Sequence, residues 1–319
     1  MSRTLALTGA TGFIGTTLTK HLNNAGWKIQ ALVRPTSDRK PLDGINVQWI
    51  EGNLDDVESL RRLVHRTDAV VHCAGTVRGQ TEKQFTQVNV EGVARLVHAA
   101  VEQHPLPRFL LISSLAAREP HLSPYASSKR QGEQTLAASS GKMPWTAFRP
   151  SPVYGPGDRE LLPLFRWIGR GLAPIIGSKD ARFSLLYVDD LAEAVRIWLE
   201  KNPRSGEVFE LHDGRPDGYS YRELIQIVAE VYSRRPLKIK IPALILNFLA
   251  VLNQSSARAM GYQPMLTPGK ARELQHTNWV CDNQKLNRET GWQPKISINK
   301  GLRRTLFGYD PDENQNGIA

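Results

Sequence analysis

The sequence predicts an α/β fold, a doubly wound parallel sheet with helices on both faces and a smaller C-terminal lobe. Three observations carry this reading. Apolar strand-like runs alternate with helical segments through the first half of the 319 residues. A glycine-rich turn lies between the first run and the first helix. After Arg149 the regularity loosens, and proline and glycine crowd residues 150–157. Strands separated by helices imply right-handed crossovers and a parallel sheet. We expect the core over residues 1–155 and the lobe mainly over 156–319, with segments of the second half returning to the sheet.

In chain order, strands are expected at residues 5–7, 29–33, 47–50, 69–72, 109–112 and 145–148. Helices are expected at 13–25, 55–65, 82–103 and 125–138. In the long one, Val90, Val93, Ala94 and Val97 are spaced to cover one face. Later, 183–188 reads as a strand, and 190–201 and 221–233 as helices. A basic strand at 237–241 precedes a helix opened by Pro242. The polar end, 310–319, is expected to fray.

Apolar residues make up 40% and charged residues 23%, which excludes global disorder. The 41 Lys and Arg exceed the 31 Asp and Glu by 10. That balance suits anionic ligands and is also compatible with nucleic acid or an anionic membrane surface. No basic run interleaved with aromatics supports nucleic acid, so none is expected as a partner. Cys73 and Cys281 lie far apart, forming neither a disulfide framework nor a metal-ligand spacing. They fit a reducing cytoplasm, and the N-terminus shows no secretion signal. The greasy stretch 241–252 is about half of the ~20 residues a membrane span needs. It reads as a buried or interfacial helix.

The turn reads Gly9-Ala10-Thr11-Gly12-Phe13-Ile14-Gly15. Gly9 permits a tight turn, Gly12 lets backbone approach a pyrophosphate, and Gly15 lets helix and strand pack closely. The helix start then offers free N–H groups and a positive dipole end. This is a Rossmann-type dinucleotide cradle, to which Thr11, Phe13 and Ile14 belong. The second strand ends in Arg34 with no acid beside it. An aspartate there would repel a 2′-phosphate, whereas Arg34 pairs with it in a planar fork. The cofactor is therefore read as NADP. The alternative is NAD, with Arg34 stacked on adenine.

Tyr125 and Lys129 stand four apart on a predicted helix, on one face. A cation beside a tyrosine favours its phenolate, so Tyr125 can act as acid in reduction and as base in oxidation. Ser113 and Ser114 end the fifth strand, at the sheet edge where ligands bind.

The glycine spacing, the Tyr-x-x-x-Lys pair and the serine strand end together resemble the extended branch of the short-chain dehydrogenase/reductase superfamily. That branch holds NAD-dependent epimerases and dehydratases, 3β-hydroxysteroid dehydrogenases and dihydroflavonol reductases. The resemblance covers nearly the whole chain. It implies that Lys129 binds the nicotinamide ribose and that Ser114 holds the substrate oxygen beside Tyr125. Ser113 then points to the opposite side of the strand. Asn53 and Leu54 match the adenine-contacting pair, with Asn in place of the usual Asp. Ala74 and Gly75 pass under the cofactor, and Pro150 and Val153 border its nicotinamide. Cys73 beside them reads as a small packing residue. Asn89 matches an asparagine with a backbone or proton-relay role. In Tyr187-Val188-Asp189-Asp190 an aspartate is expected to cap the following helix.

Sugar-nucleotide members usually carry Asn where this chain has Pro152, and Arg at the register of Phe183, with Arg182 one residue early. A one-residue slip turns a strand side chain to the other face. These departures, with apolar Trp167, Ile168, Ile175, Ile176, Phe248 and Leu249, favour a fairly apolar substrate over a sugar nucleotide. Core packing explains those residues equally. Arg78 is the candidate contact for an anionic one. The leading reading is an NADP-dependent oxidoreductase acting on a carbonyl or secondary alcohol. The second is a nucleotide-sugar epimerase or dehydratase, and the third a non-catalytic dinucleotide-binding sensor or complex subunit. A homodimer is left open, and no metal is expected.

Overall fold

The computed structural model describes residues 3–308; the expected fraying at 310–319 lies outside them. The first half builds the sheet. Its elements are β1 (Thr4–Thr8), α1 (Phe13–Asn24), β2 (Lys28–Val33), β3 (Val47–Glu51), α2 (Val57–Val64), β4 (Ala69–His72), α3 (Glu82–Thr86), α4 (Gly92–Val101), β5 (Arg108–Ile112), α5 (Pro124–Ser139) and β6 (Trp145–Pro150). After β6 come β7 (Val153–Tyr154), α6 (Leu162–Gly169), β8 (Leu172–Ile175), β9 (Arg182–Phe183), β10 (Leu186–Tyr187), α7 (Val188–Lys201) and β11 (Glu207–Leu211). The chain then forms β12 (Tyr219–Ser220), α8 (Tyr221–Val231), β13 (Leu237–Lys240), α9 (Ala243–Met260), α10 (Pro268–Gln275), β14 (Asn278–Trp279), α11 (Gln284–Thr290) and α12 (Ile298–Phe307).

Seven strands form one parallel sheet in the order β11-β6-β5-β4-β1-β2-β3. The chain winds outward from β1 through β3, then returns to add β4 on the other side. Between β1 and β4 the order reverses, and their C-terminal ends part to leave the crevice where such sheets bind ligands. Leu5, Ala6 and Leu7 are fully buried, because a central parallel strand is covered on both faces and needs no polar alternation. One core packs α1 and α7 on one face, and another packs α2, α4 and α5 on the other. A third cluster holds the C-terminal lobe together around Tyr154, Phe165, Tyr187 and Leu224. The seventh strand comes from residues 207–211, well past the loosening at Arg149.

Several elements differ from their sequence readings. The helix expected at 82–103 is interrupted by a wider turn, Gln87–Glu91, with a π-helical bonding pattern. The single strand expected at 183–188 is two strands in different sheets. Ser184 donates its backbone N–H to Trp279, while the Leu185 carbonyl accepts from Asp213. The run thus changes partners midway, and β9 joins β12 and β14 while β10 joins β7. Neither aspartate caps α7, which begins at Val188 with no side-chain cap. Asp190 instead lies inside the first turn, buried, and accepts the backbone N–H groups of Lys295 at 2.8 Å and Ile296 at 3.1 Å. It ties the segment leading into α12 to the core.

That role predicts an asymmetry. Asp190→Ala should lower unfolding free energy by about 2–4 kcal/mol, the scale of lost charge-assisted hydrogen bonds with orphaned buried donors. Asp189→Ala, whose half-exposed carboxylate pairs loosely with His21 and Arg304, should change it by less than about 1 kcal/mol. Denaturant unfolding of the two variants distinguishes them, and equal losses would refute the assignment.

Candidate active site

The cradle forms where α1 meets the end of β1. Gly9 has φ +74°, and a Cβ there would lie 2.7 Å from the Ala74 nitrogen. A Cβ on Gly15 would fall 1.9 Å from the Gly9 carbonyl oxygen. Both glycines are therefore needed for helix and strands to approach this closely. Gly12 caps α1 without any side-chain bond, so the first-turn N–H groups keep their capacity to bind an anion. Thr8 joins the two sheet halves here. Its hydroxyl lies 2.7 Å from His72 Nδ1 and accepts the Ala74 N–H at 3.2 Å. His72 is fully buried, and burial followed by the nearby Lys129 charge pushes its pKa down to about 3. Burial likewise pushes the Cys73 thiol up to about 12, which leaves it inert, in keeping with a packing role.

A cavity of about 1680 Å³ runs from this cradle into the C-terminal lobe. Single ligand pockets span roughly 300–1,000 Å³, so a dinucleotide and a second molecule fit together. Gly9, Thr11, Gly12, Phe13, Ile14 and Gly15 line one end, and Gly75, Ser114, Tyr125, Pro150 and Val153 line its middle. Arg34, Asn53, Leu54 and Ala74 are not in this wall. Arg34 lies exposed at the end of β2, its guanidinium free of hydrogen-bond or ion-pair partners among the described residues. The Asn53 side chain accepts the Asp55 N–H at 2.7 Å. Leu54 packs over Gly92.

Helix α5 sets the centre. Ser123 caps it by accepting the Ala126 N–H, and Pro124 supplies a preset first-turn φ. Tyr125 and Ser114 both line the cavity, and Ser114 lies near enough to the phenol to lower its pKa. Burial raises the phenol's pKa, and the Ser114 hydroxyl offsets only part of that; the resting side chain is a neutral phenol with a proton to give. Lys129 is buried one turn on. Its ammonium donates to the Ile112 carbonyl at 2.8 Å, and burial pushes its pKa down to about 8. Ser113 points away from Ser114 into the protein, where its hydroxyl bonds Glu133.

Two residues without an assigned role in the sequence reading, Glu133 and Glu273, prove central. Glu133 is buried four residues beyond Lys129 and receives Arg149 through two bonds, of 2.8 and 2.6 Å. The same i, i+4 spacing that marks Tyr125 and Lys129 was its available signal. Glu273 on α10 is buried and bonds the capping Ser123; its partner is 150 positions away, so no local pattern announces it. Asn89 was singled out, and its amide oxygen accepts the Thr76 N–H at 3.0 Å while its nitrogen donates to Thr76 and Ser128. It fastens the loop after β4 to α5. Arg78 pairs with Glu160 at 2.8 Å, so its charge is already engaged. Arg182 spends its guanidinium on the Asp217 and Gly218 carbonyls, whereas Phe183 lines the cavity. Of the apolar residues singled out, Trp167, Ile176 and Leu249 line it too, Ile168 and Ile175 pack in the lobe core, and Phe248 is exposed.

Among the described residues, no group of His, Cys, Asp or Glu is arranged to hold a metal, and no helix is long and apolar enough to cross a membrane.

The buried lysine makes a testable linkage. The folded protein releases the Lys129 proton near pH 8, whereas the unfolded chain holds it to about pH 10.4. Stability therefore rises with pH between those values, and the penalty of burying the cation is full below them. Lys129→Met should stabilise the cofactor-free protein at about pH 7 by roughly 1–2 kcal/mol, the burial penalty less the bond to Ile112. The gain should shrink above about pH 8. Calorimetric unfolding of both proteins across this range is the measurement, and a gain that grows with pH would contradict it.

Comparison with known proteins adds the following. Residues 5–211 match the model of the NAD dependent epimerase/dehydratase family. The chain is 35% identical to a ceramide reductase of Caulobacter vibrioides, over 96% of this chain and 94% of that one. It is 28% identical to a 2-alkyl-3-oxoalkanoate reductase of Stenotrophomonas maltophilia, over 94% and 97%. In fold it is similar to the UDP-glucose 4-epimerase of Thermotoga maritima, with a TM-score of 0.75 and 21% identity, covering 95% and 97% of the two chains.

Proposed function

This chain belongs to the NAD dependent epimerase/dehydratase family and is an oxidoreductase, and on that premise we propose that it is an NADP-dependent reductase. Its substrate is a carbonyl, or in reverse a secondary alcohol, on a molecule with a large apolar portion. The observation that carries the reading is the neutral Tyr125 phenol at the cavity wall, with Ser114 against it and buried Lys129 one turn behind.

The residues fit a dinucleotide. The cradle that Gly9 and Gly15 keep bare leads to α1 N–H groups suited to a pyrophosphate. Unpaired Arg34 stands at the end of β2, where a 2′-phosphate would meet it. Lys129, beside Gly75, would hold the nicotinamide ribose. When bound, the cofactor supplies the hydride. The protein supplies the rest. Ser114 donates a hydrogen bond to the carbonyl oxygen and fixes it beside Tyr125. Tyr125 gives its proton to that oxygen as negative charge develops there, and the Lys129 ammonium stabilises the phenolate left behind. Phe183, Trp167 and Leu249 suit an apolar body in the same cavity, and so do the reductases of ceramide and of 2-alkyl-3-oxoalkanoates among its relatives.

Two experiments test this. NADPH should bind more tightly than NADH, and Arg34→Ala should weaken NADPH by about 1.5–3 kcal/mol, the value of a charged hydrogen bond, with NADH little changed. Equal losses in titration calorimetry would defeat the cofactor assignment. With a substrate found by screening long-chain ketones for NADPH oxidation, Tyr125→Phe should slow single-turnover hydride transfer ~100- to 10,000-fold while cofactor binding persists. Equal rates, where chemistry limits, would remove Tyr125 from the reaction.

A further inference from the structure

The outward face of α9 is a surface of unusual composition. From Pro242 to Ala257 the chain has no charged residue. Over the first three turns only Leu246 and Ala250 turn inward, onto α10. Leu244 is 83% exposed and Phe248 66%, and Ile245, Val251 and Leu252 are exposed beside them. The preceding strand β13 extends the patch, with Leu237 and Ile239 exposed and alternating with exposed Lys238 and Lys240. An apolar area of this extent on a surface marks a contact site.

The charge around it indicates what covers it. Residues 231–272 contain seven Lys or Arg and no Asp or Glu. Arg234, Arg235, Lys238 and Lys240, immediately before α9, have no ion-pair partner among the described residues. A second copy docking through the same patch would bring two cationic margins into one interface with no acidic residue of 231–272 to offset them. An anionic bilayer surface satisfies both features at once. Its acyl boundary takes Leu244 and Phe248, and its headgroups take the lysines and arginines. The helix is not long and apolar enough to cross, which suits lying in the interface.

We propose that α9 and β13 form a docking surface for an anionic lipid bilayer. The patch is continuous with the cavity. Ile241, Leu246 and Leu249 line it from this side, and Trp167, 54% exposed, lines it from α6. Docking thus places the cavity mouth against lipid, a route by which an apolar molecule enters without crossing water. The docking itself does not rest on the hydride-transfer reading, and its test reads binding alone.

The test is flotation of the full chain with vesicles of phosphatidylcholine, with and without phosphatidylglycerol. We expect at least about tenfold more protein on the anionic vesicles, falling as salt is raised because headgroup attraction is screened. The double variant Leu244→Asp/Phe248→Asp, which alters neither the core nor the cavity wall, should lose binding while its circular dichroism and melting stay as in the parent. Lys238→Gln/Lys240→Gln, an independent pair, should lose the preference for phosphatidylglycerol. Absence of flotation on either vesicle would overturn the proposal, and so would undiminished flotation of the aspartate variant. A wild-type dimer that the aspartate pair dissociates, with no vesicle binding, would assign the face to a second copy instead and overturn it as well.

Discussion

Burying a lysine and a glutamate one turn apart on a single helix is the constraint on which the site depends. Charged groups leave water only if partners replace it. For Lys129 these are the Ile112 carbonyl and the nearby Glu133 charge. For Glu133 they are the Arg149 fork and the Ser113 hydroxyl. Ile112, Ser113 and Arg149 all lie on or just after two adjacent strands, β5 and β6. Satisfying two charges therefore fixes the roll and height of α5 against the sheet edge. Tyr125, one turn before Lys129, is carried to the cavity wall by that placement, and Ser114 meets it because strand alternation turns it opposite Ser113.

The remaining freedom of α5, at its N-terminus, is removed by α10, more than a hundred residues later in the chain. Glu273 bonds the capping Ser123, and Arg272 donates to the Leu122 carbonyl at 2.7 Å. A Cβ on Gly269 would lie 2.8 Å from that of Ser123, so α10 sits directly against the turn that opens α5. The lobe is thus more than a cover for the cavity. It completes the hydrogen bonding of the helix that presents the phenol, which couples the lobe's end of the cavity to the position of Tyr125.

On the opposite side of the crevice the constraint is steric. The N-terminus of α1 reaches the cavity only because Gly15 lies against the Gly9 carbonyl, and Gly9 against Ala74. Thr8 then bonds across β1 and β4 at the point where the strand order reverses. Close approach at one end and buried charge at the other hold the two walls of one cavity, with Gly75 lying between Asn89 and Lys129.

The sequence by itself determined the alternation of strands and helices in the first half, because full burial in a parallel sheet demands unbroken apolar runs that stand out from amphipathic helices. It also marked the glycine turn, the Tyr125–Lys129 pair and the two serines, since each depends on near neighbours in the chain. Glu133 was legible by the same helical spacing but was not read as part of the site, because a glutamate on a helix usually faces water. Only the tertiary structure decided the rest. The run at 183–188 divides because its hydrogen-bond partners, Asp213 and Trp279, come from distant segments. Asp190 holds the segment before α12 rather than a helix start, and Glu273 reaches Ser123 across 150 positions. The stretch at 241–252 shows the limit most clearly. Its composition identified an apolar helix that was either buried or interfacial, and only the packing of the lobe showed that most of it faces outward, with Leu246 and Ala250 turned in.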